Sequence, residues 1–145
     1  SANDCPMKQA QTELAVTTRG RGCLMITRLI ADWLARQHLT TGLLTVFIRH
    51  TSASLLISEN ADPDVLGDLE RFLARLVPDG DPLFVHDSEG PDDMPAHVRS
   101  ALTQTQLSIP IIDGAMALGT WQGLYLFEHR HAPHERRLVL HAIGD

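Results

Sequence analysis

Apolar positions along this chain switch between the alternation of strands and the three-and-four spacing of helices, and that switching lays out most of the secondary structure. Gln11 to Thr18 holds Leu14-Ala15-Val16 beside two β-branched threonines, and Arg19-Gly20-Arg21-Gly22 stops the run, so a strand and a turn are expected. Ile26, Leu29, Ile30, Trp33 and Leu34 share one face of a helix reaching about Gln37, with Arg28, Asp32 and Arg36 on its wet side. Leu43 to Ile48 reads as a buried strand, His50-Thr51-Ser52 as a turn, and the residues through Ser58 as another strand.

Asp62-Pro63 is a helix start, because Asp accepts from free first-turn amides and Pro at the first helical position sacrifices no hydrogen bond. Val65, Leu66, Leu69, Phe72, Leu73 and Leu76 carry that helix to Pro78. Pro78 to Pro95 is polar and rich in Asp, Gly and Pro, longer than most connections in a compact domain and therefore a candidate functional loop. Pro95 opens a short third helix with Val98, Ala101 and Leu102. Leu107 to Ile112, Trp121 to Glu128 and Arg137 to Ile143 are three further strands. Six or seven strands with three helices make an α+β domain. No repeat or linker divides residues 1–145, so one domain is expected, with Ser1 to Pro6 before Met7-Lys8 set aside as an added or disordered leader.

The 145 residues are 43% hydrophobic and 21% charged, enough for one core that needs no disulfide or metal to fold. Apolar runs fall far short of the roughly 20 residues that span a bilayer, so no membrane partner and a cytoplasmic location are expected. Cys5 and Cys23 stand at no metal or redox spacing. A net charge of -6 has the wrong sign for phosphate-driven nucleic-acid binding. Eleven acids lie between Glu59 and Asp93 against only Arg71 and Arg75, a pattern shared by solvated faces and cation sites.

The densest set of potential ligands is His86-Asp87-Ser88-Glu89-Gly90-Pro91-Asp92-Asp93-Met94-Pro95-Ala96-His97. A loop folding back onto a helix can converge both imidazoles and a carboxylate on one point, with His97 in the helix's first turn where the dipole keeps its ring neutral. An exposed acidic loop with two ordinary histidines has the same sequence. His50, at a strand end, is a third possible ligand or a hydrogen-bonded structural residue; Thr51, Ser52 and Ser54 beside it suit turn capping equally. No nucleophile elbow supports a Ser-His hydrolase. Between Gly114 and Gln122, Gly119 admits an anion to backbone amides while Thr120, Trp121 and Gln122 offer contacts, and the plainer alternative is a bulged hairpin with a core Trp. Glu128-His129-Arg130-His131 and His134 to Arg137 read as an exposed turn, with Arg136 and Arg137 able to grip an anion.

His50-Thr51-Ser52-Ala53-Ser54-Leu55, Glu59-Asn60-Ala61-Asp62-Pro63, the His86 to His97 segment and Gly114 to Gln122 together resemble the signatures of the YjbQ-like family, over nearly all of Gln11 to Gly144. The resemblance implies a curved, sandwich-like, mostly antiparallel sheet, a homotrimer, a cleft lined by the motif residues, a divalent metal, and a secondary thiamine-phosphate synthase activity in a family whose primary function is unsettled. Carried over by motif, the site candidates are His50, Asn60, Asp62, His86, Glu89, Asp93, His97, Thr120, Gln122 and Arg137. In the resulting expectation His50, His86 and His97 bind zinc or magnesium. Glu89 or Asp93, with Asn60 and Asp62, serve the chemistry. Ser52, Thr120, Gln122 and Arg137 orient a small phosphorylated or diphosphorylated metabolite. The rival expectation is a non-catalytic trimer that binds a metal or phosphometabolite, and a third is a purely structural trimer.

Overall fold

The computed structural model describes residues 6–145; Cys5 and most of the expected leader lie outside them. Eight strands form in chain order with three helices: β1 Lys8–Thr17, β2 Gly22–Met25, α1 Thr27–Ala35, β3 Gly42–Ile48, β4 Ala53–Glu59, α2 Pro63–Leu76, α3 Asp93–Leu102, β5 Gln106–Ile112, β6 Ala115–Met116, β7 Gln122–Glu128 and β8 Glu135–Gly144. Every strand pairing is antiparallel. A five-stranded sheet has the order β1-β8-β3-β5-β6, and a three-stranded sheet the order β2-β7-β4. The chain is the curled, single-domain α+β fold that the alternating pattern and the resemblance led us to expect.

The core fills the space between the sheets. Leu44, Val46 and Ile48 of β3, Leu138 and Leu140 of β8, and Ile109 of β5 point inward to meet Leu55, Leu124 and Leu126 of the smaller sheet and Ile26, Ile30 and Trp33 at α1. Because alternate strand residues face opposite ways, Tyr125 and Phe127 of β7 point to the other side of the smaller sheet, where they too are buried. Helices α2 and α3 both lie against β4. This arrangement carries the loop between α2 and α3 to the end of β4 where Ala53 faces Glu128.

Two expectations need correction. Gly22 to Met25, expected to begin as a turn, is the edge strand β2 on β7; four residues without alternation leave no periodic signal, and pairing alone makes the strand. Helix α3 begins at Asp93, two residues before Pro95, which is accommodated because a first-turn residue needs no amide donor. Along α2 only Leu73 of the apolar stripe is buried, and Phe72 and Leu76 are exposed. The cap at its start is as expected: Asp62 accepts from the amide of Asp64 at 2.9 Å.

Gly42 faces Gly144 across β3 and β8. A Cβ on Gly42 would stand 2.1 Å from the carbonyl oxygen of Ile143, a backbone atom that cannot swing aside. Gly42→Ala is expected to destabilise the protein by about 1–3 kcal/mol through overpacking, read as a lowered denaturant midpoint with an unchanged m-value.

Candidate metal centre

Spacing within α3 begins the site, since Asp93 and His97, four residues apart, share one helical face. The loop before the helix returns His86 to that face. His86 Nε2 lies 2.7 Å and His97 Nε2 3.5 Å from the same atom, Asp93 Oδ2. Among the described residues this is the group of metal-capable side chains whose ligand atoms all fall within 4.8 Å of one another. The two rings meet edge to face with centroids 5.6 Å apart. Donor atoms of a tetrahedral zinc with bonds of about 2.0–2.2 Å stand about 3.3–3.6 Å from one another; the Asp93–His97 separation already matches, and the Asp93–His86 contact would have to open by under about 1 Å.

His97 stands a full turn inside α3, past the first turn where it was expected. Its Nδ1 lies 3.0 Å from the carbonyl oxygen of Thr51, which only accepts, so Nδ1 carries a proton and Nε2 faces Asp93. The Asp93 carboxyl is almost fully buried. Burial alone would raise its pKa, but the hydrogen bond with His86 and the charges of His97 and Arg130 outweigh it and hold the group below its usual range.

Arg130 fixes the other side of that carboxylate. Its Nη1 donates to Asp93 Oδ1 at 2.8 Å, its Nε to Asp92 Oδ2 at 3.1 Å, and its Nη2 to the carbonyl of Glu89 at 2.9 Å. One guanidinium thus ties the acidic loop to the β7–β8 turn and leaves Oδ2 facing the imidazoles. The amide of His131 adds a bond to Asp92 at 2.9 Å. Sequence reasoning singled out the charged cluster containing Arg130 but gave that residue no role; no local spacing links it to a loop some forty residues earlier.

The remaining candidates divide. Glu89 lies on the rim, with Oε2 4.0 Å from His86 Nε2, placed for proton transfer to something bound there. His50 is not part of the cluster: its Nε2 accepts the backbone N–H of Arg137 at 2.7 Å, so that nitrogen serves the sheet. Burial and then the nearby Arg136 charge push its pKa down. Ser52 accepts from Arg136 at 3.0 Å and holds the turn. The Arg137 side chain pairs with Glu135 on an exposed surface instead of joining the site. Asp62 is spent on the α2 cap, Asn60 donates weakly to the carbonyls of Thr120 and Gln122, and Gln122 accepts from the amide of Gly119. Asp62, Asn60 and Gln122, with Thr120, occupy the opposite end of the β4–β7 pair, about 20 Å along the strands, at roughly 3.3 Å per residue, from the Ala53–Glu128 end that lies toward the histidines. Within one chain they do not join them. Trp121, expected in a core, is 63% exposed.

The expected exposed turn is also partly interior. Arg136, proposed to grip an anion, is buried and gives its guanidinium to buried Glu128. His129 is fully buried, bonded through Nε2 to Ser54 Oγ at 2.8 Å.

A sequence profile described as "UPF0047 protein YjbQ-like" matches residues 12–145. The chain belongs to the UPF0047 family. It is 50% identical over 138 residues to the UPF0047 protein sll1880 of Synechocystis, covering 95% of this chain and 94% of that one. It is 41% identical to UPF0047 protein YjbQ of Escherichia coli O157:H7, covering 93% and 98%. A crystal structure from Sulfolobus solfataricus, a YbjQ-like protein of unknown function, superposes with a TM-score of 0.87 at 18% identity over 97% of this UPF0047 chain and all of that one, which is likeness of fold. The shared fold leaves the chemistry to be read from the side chains.

Burial, and then Arg99, push the His129 pKa down to about 3. The folded state therefore excludes a proton that the unfolded state binds below about pH 6.5, so stability is intact above that pH and falls as the pH drops toward 3. The expected slope is on the order of 1 kcal/mol per pH unit in denaturant titrations between pH 6.5 and 4.5, and His129→Gln, which can keep a bond to Ser54, flattens it.

Proposed function

We propose that this UPF0047 protein is an enzyme acting on small phosphorylated or diphosphorylated metabolites with a divalent cation held by His86, Asp93 and His97. The observation that carries the reading is the convergence of two imidazole nitrogens on one buried carboxylate oxygen: His86 Nε2 at 2.7 Å and His97 Nε2 at 3.5 Å from Asp93 Oδ2. Two imidazoles with one carboxylate favour zinc or a similar transition ion over magnesium, which prefers oxygen donors and tight octahedral geometry. A cation there supplies charge neutralisation for a phosphoryl group or a departing diphosphate.

The chain's own residues account for the rest. Beside His86 lies a cleft of about 420 Å³ whose lining includes Asp81, Phe84, Asp87 and Met94 and neither Lys nor Arg. An unaccompanied anion is repelled by that wall, so a phosphorylated substrate enters productively only as a partner of a cation. Glu89, on the rim beside His86, moves the proton. Asp93, anchored by Arg130, holds the donor set in register. Condensation with loss of diphosphate, as in thiamine-phosphate synthesis, stays within this reading as a secondary activity.

Elemental analysis after zinc dialysis is expected to find about one cation per chain, lost in the double variant His86→Ala/His97→Ala and retained in His50→Ala. Glu89→Gln is expected to keep the cation and lower turnover of a diphosphorylated substrate by roughly 10²–10⁴-fold. A cation bound without turnover of any phosphorylated metabolite would point to a binding protein, and no cation in the wild type would end the metal reading.

We also propose the homotrimer. Leu43, Phe47, Ile112 and Ile143 stand exposed on the outer face of the five-stranded sheet, opposite the core-facing residues of the same strands, and single-chain packing does not cover them. Light scattering is expected to give three times the chain mass for the wild type and a smaller species for Phe47→Glu; an unchanged mass in that variant would move the interface elsewhere.

A further inference from the structure

The loop between α2 and α3 is closed at its neck. The amide of Gly80 donates to the carbonyl of Pro91 at 3.0 Å, so residues 80–91 leave and return at one point with His86 between them. Asp79 and Asp92 flank that neck, and the β7–β8 turn holds both. The amide of His131 donates to Asp92 Oδ2 at 2.9 Å, while its ring nitrogen Nε2 lies 2.8 Å from Asp79 Oδ2. A carboxylate only accepts, so that Nε2 carries a proton. The grip on Asp79 is completed from the β1–β2 link. Arg21 forms a fork, with Nη1 donating to Asp79 Oδ2 at 2.8 Å and Nη2 to Oδ1 at 2.9 Å. Its Nε donates to the carbonyl of His129 at 2.8 Å, so one guanidinium spans the loop and the turn. The Arg21 side chain is only 8% exposed, where salt screens a pair less than at an open surface. Burial works against an ionised Asp79, but the hydrogen bonds from Arg21 and His131 outweigh it and hold its pKa below the usual range. Gly20 lets the link come this close: its φ is +123°, and a Cβ on it would stand 2.5 Å from the carbonyl oxygen of His131.

We infer that Arg21 is a positioning residue for the cluster of His86, Asp93 and His97, acting through Asp79 and His131 on the neck of the loop that carries His86. Asp93 and His97 ride on α3 and keep their spacing by helix geometry, whereas His86 reaches them only from the loop. With the neck held, His86 stands ready beside Asp93 Oδ2. Without Arg21, Asp79 keeps only the His131 ring, the loop gains freedom, and a cation must order His86 as it binds. The effect on a cation rests on the metal reading; the effect on the loop rests on the contacts alone.

The probe is cobalt(II), whose visible absorption reports how many protein ligands surround it, titrated into the full chain. Arg21→Met and Asp79→Asn are each expected to weaken cobalt roughly 10-fold or more and to dim its visible band as His86 leaves the coordination sphere. The double variant Arg21→Met/Asp79→Asn is expected to be no weaker than the worse single one, because both remove the same contact. Arg28→Met, which breaks an exposed ion pair with Asp32 on α1, is expected to leave cobalt binding unchanged. In the metal-free protein, hydrogen exchange at the Gly80 amide is expected to quicken in Arg21→Met and Asp79→Asn and not in Arg28→Met. Cobalt bound by both loop variants as tightly as by the wild type, or Gly80 exchange unchanged in both, would overturn the inference. A wild-type protein that takes up no cobalt would instead end the metal reading, and Gly80 exchange would then decide by itself whether Arg21 holds the loop.

Discussion

A single buried carboxylate organises the end of the molecule where the site lies. Glu128, the last residue of β7, is 1% exposed, and a charge so placed survives only when its oxygens are matched by donors. Arg136 donates to both of its oxygens, Thr18 donates to Oε1 at 2.6 Å, and the amides of His129 and Arg130 donate to Oε2. These partners come from the β1–β2 link, β8 and the β7–β8 turn. Arg136 reaches on to Ser52, so the turn bearing His50 and Thr51 is pinned as well. Hydrogen bonding and the Arg136 charge overcome the cost of burial and keep the Glu128 pKa below its ordinary value.

The site is built outward from that node. The turn that Arg136 holds presents the Thr51 carbonyl, which accepts from Nδ1 of His97 and orients its ring. The amide of Arg130 bonds Glu128 while its side chain grips Asp92, Asp93 and the Glu89 carbonyl. Both neighbours of the Asp93–His97 pair are thus set by backbone that a buried charge immobilises. Backbone held in this way fixes the orientation of the side chains it carries. Arg130 also offsets the adjacent charges of Asp92 and Asp93, which would otherwise repel each other.

Periodicity sufficed for the parts of the fold whose information is local. Alternation in β3 and β8, the three-and-four spacing in α1, and the Asp62-Pro63 cap are legible because side-chain direction follows directly from backbone geometry. The acid-and-histidine loop was legible as a candidate for the same reason, its ligands lying within one short segment. What the sequence by itself determined was therefore the α+β class, the main strands and helices, and the His86 to His97 segment as the densest set of potential ligands. Only the tertiary structure decided that His50 would bond the sheet, that Arg136 would be buried against Glu128, that Arg130 would clamp the loop, and that Asn60, Thr120 and Gln122 would stand at the far end of β4 and β7. Those outcomes depend on pairings between residues dozens of positions apart, where burial selects which polar groups must satisfy one another, and no spacing along the chain encodes that choice.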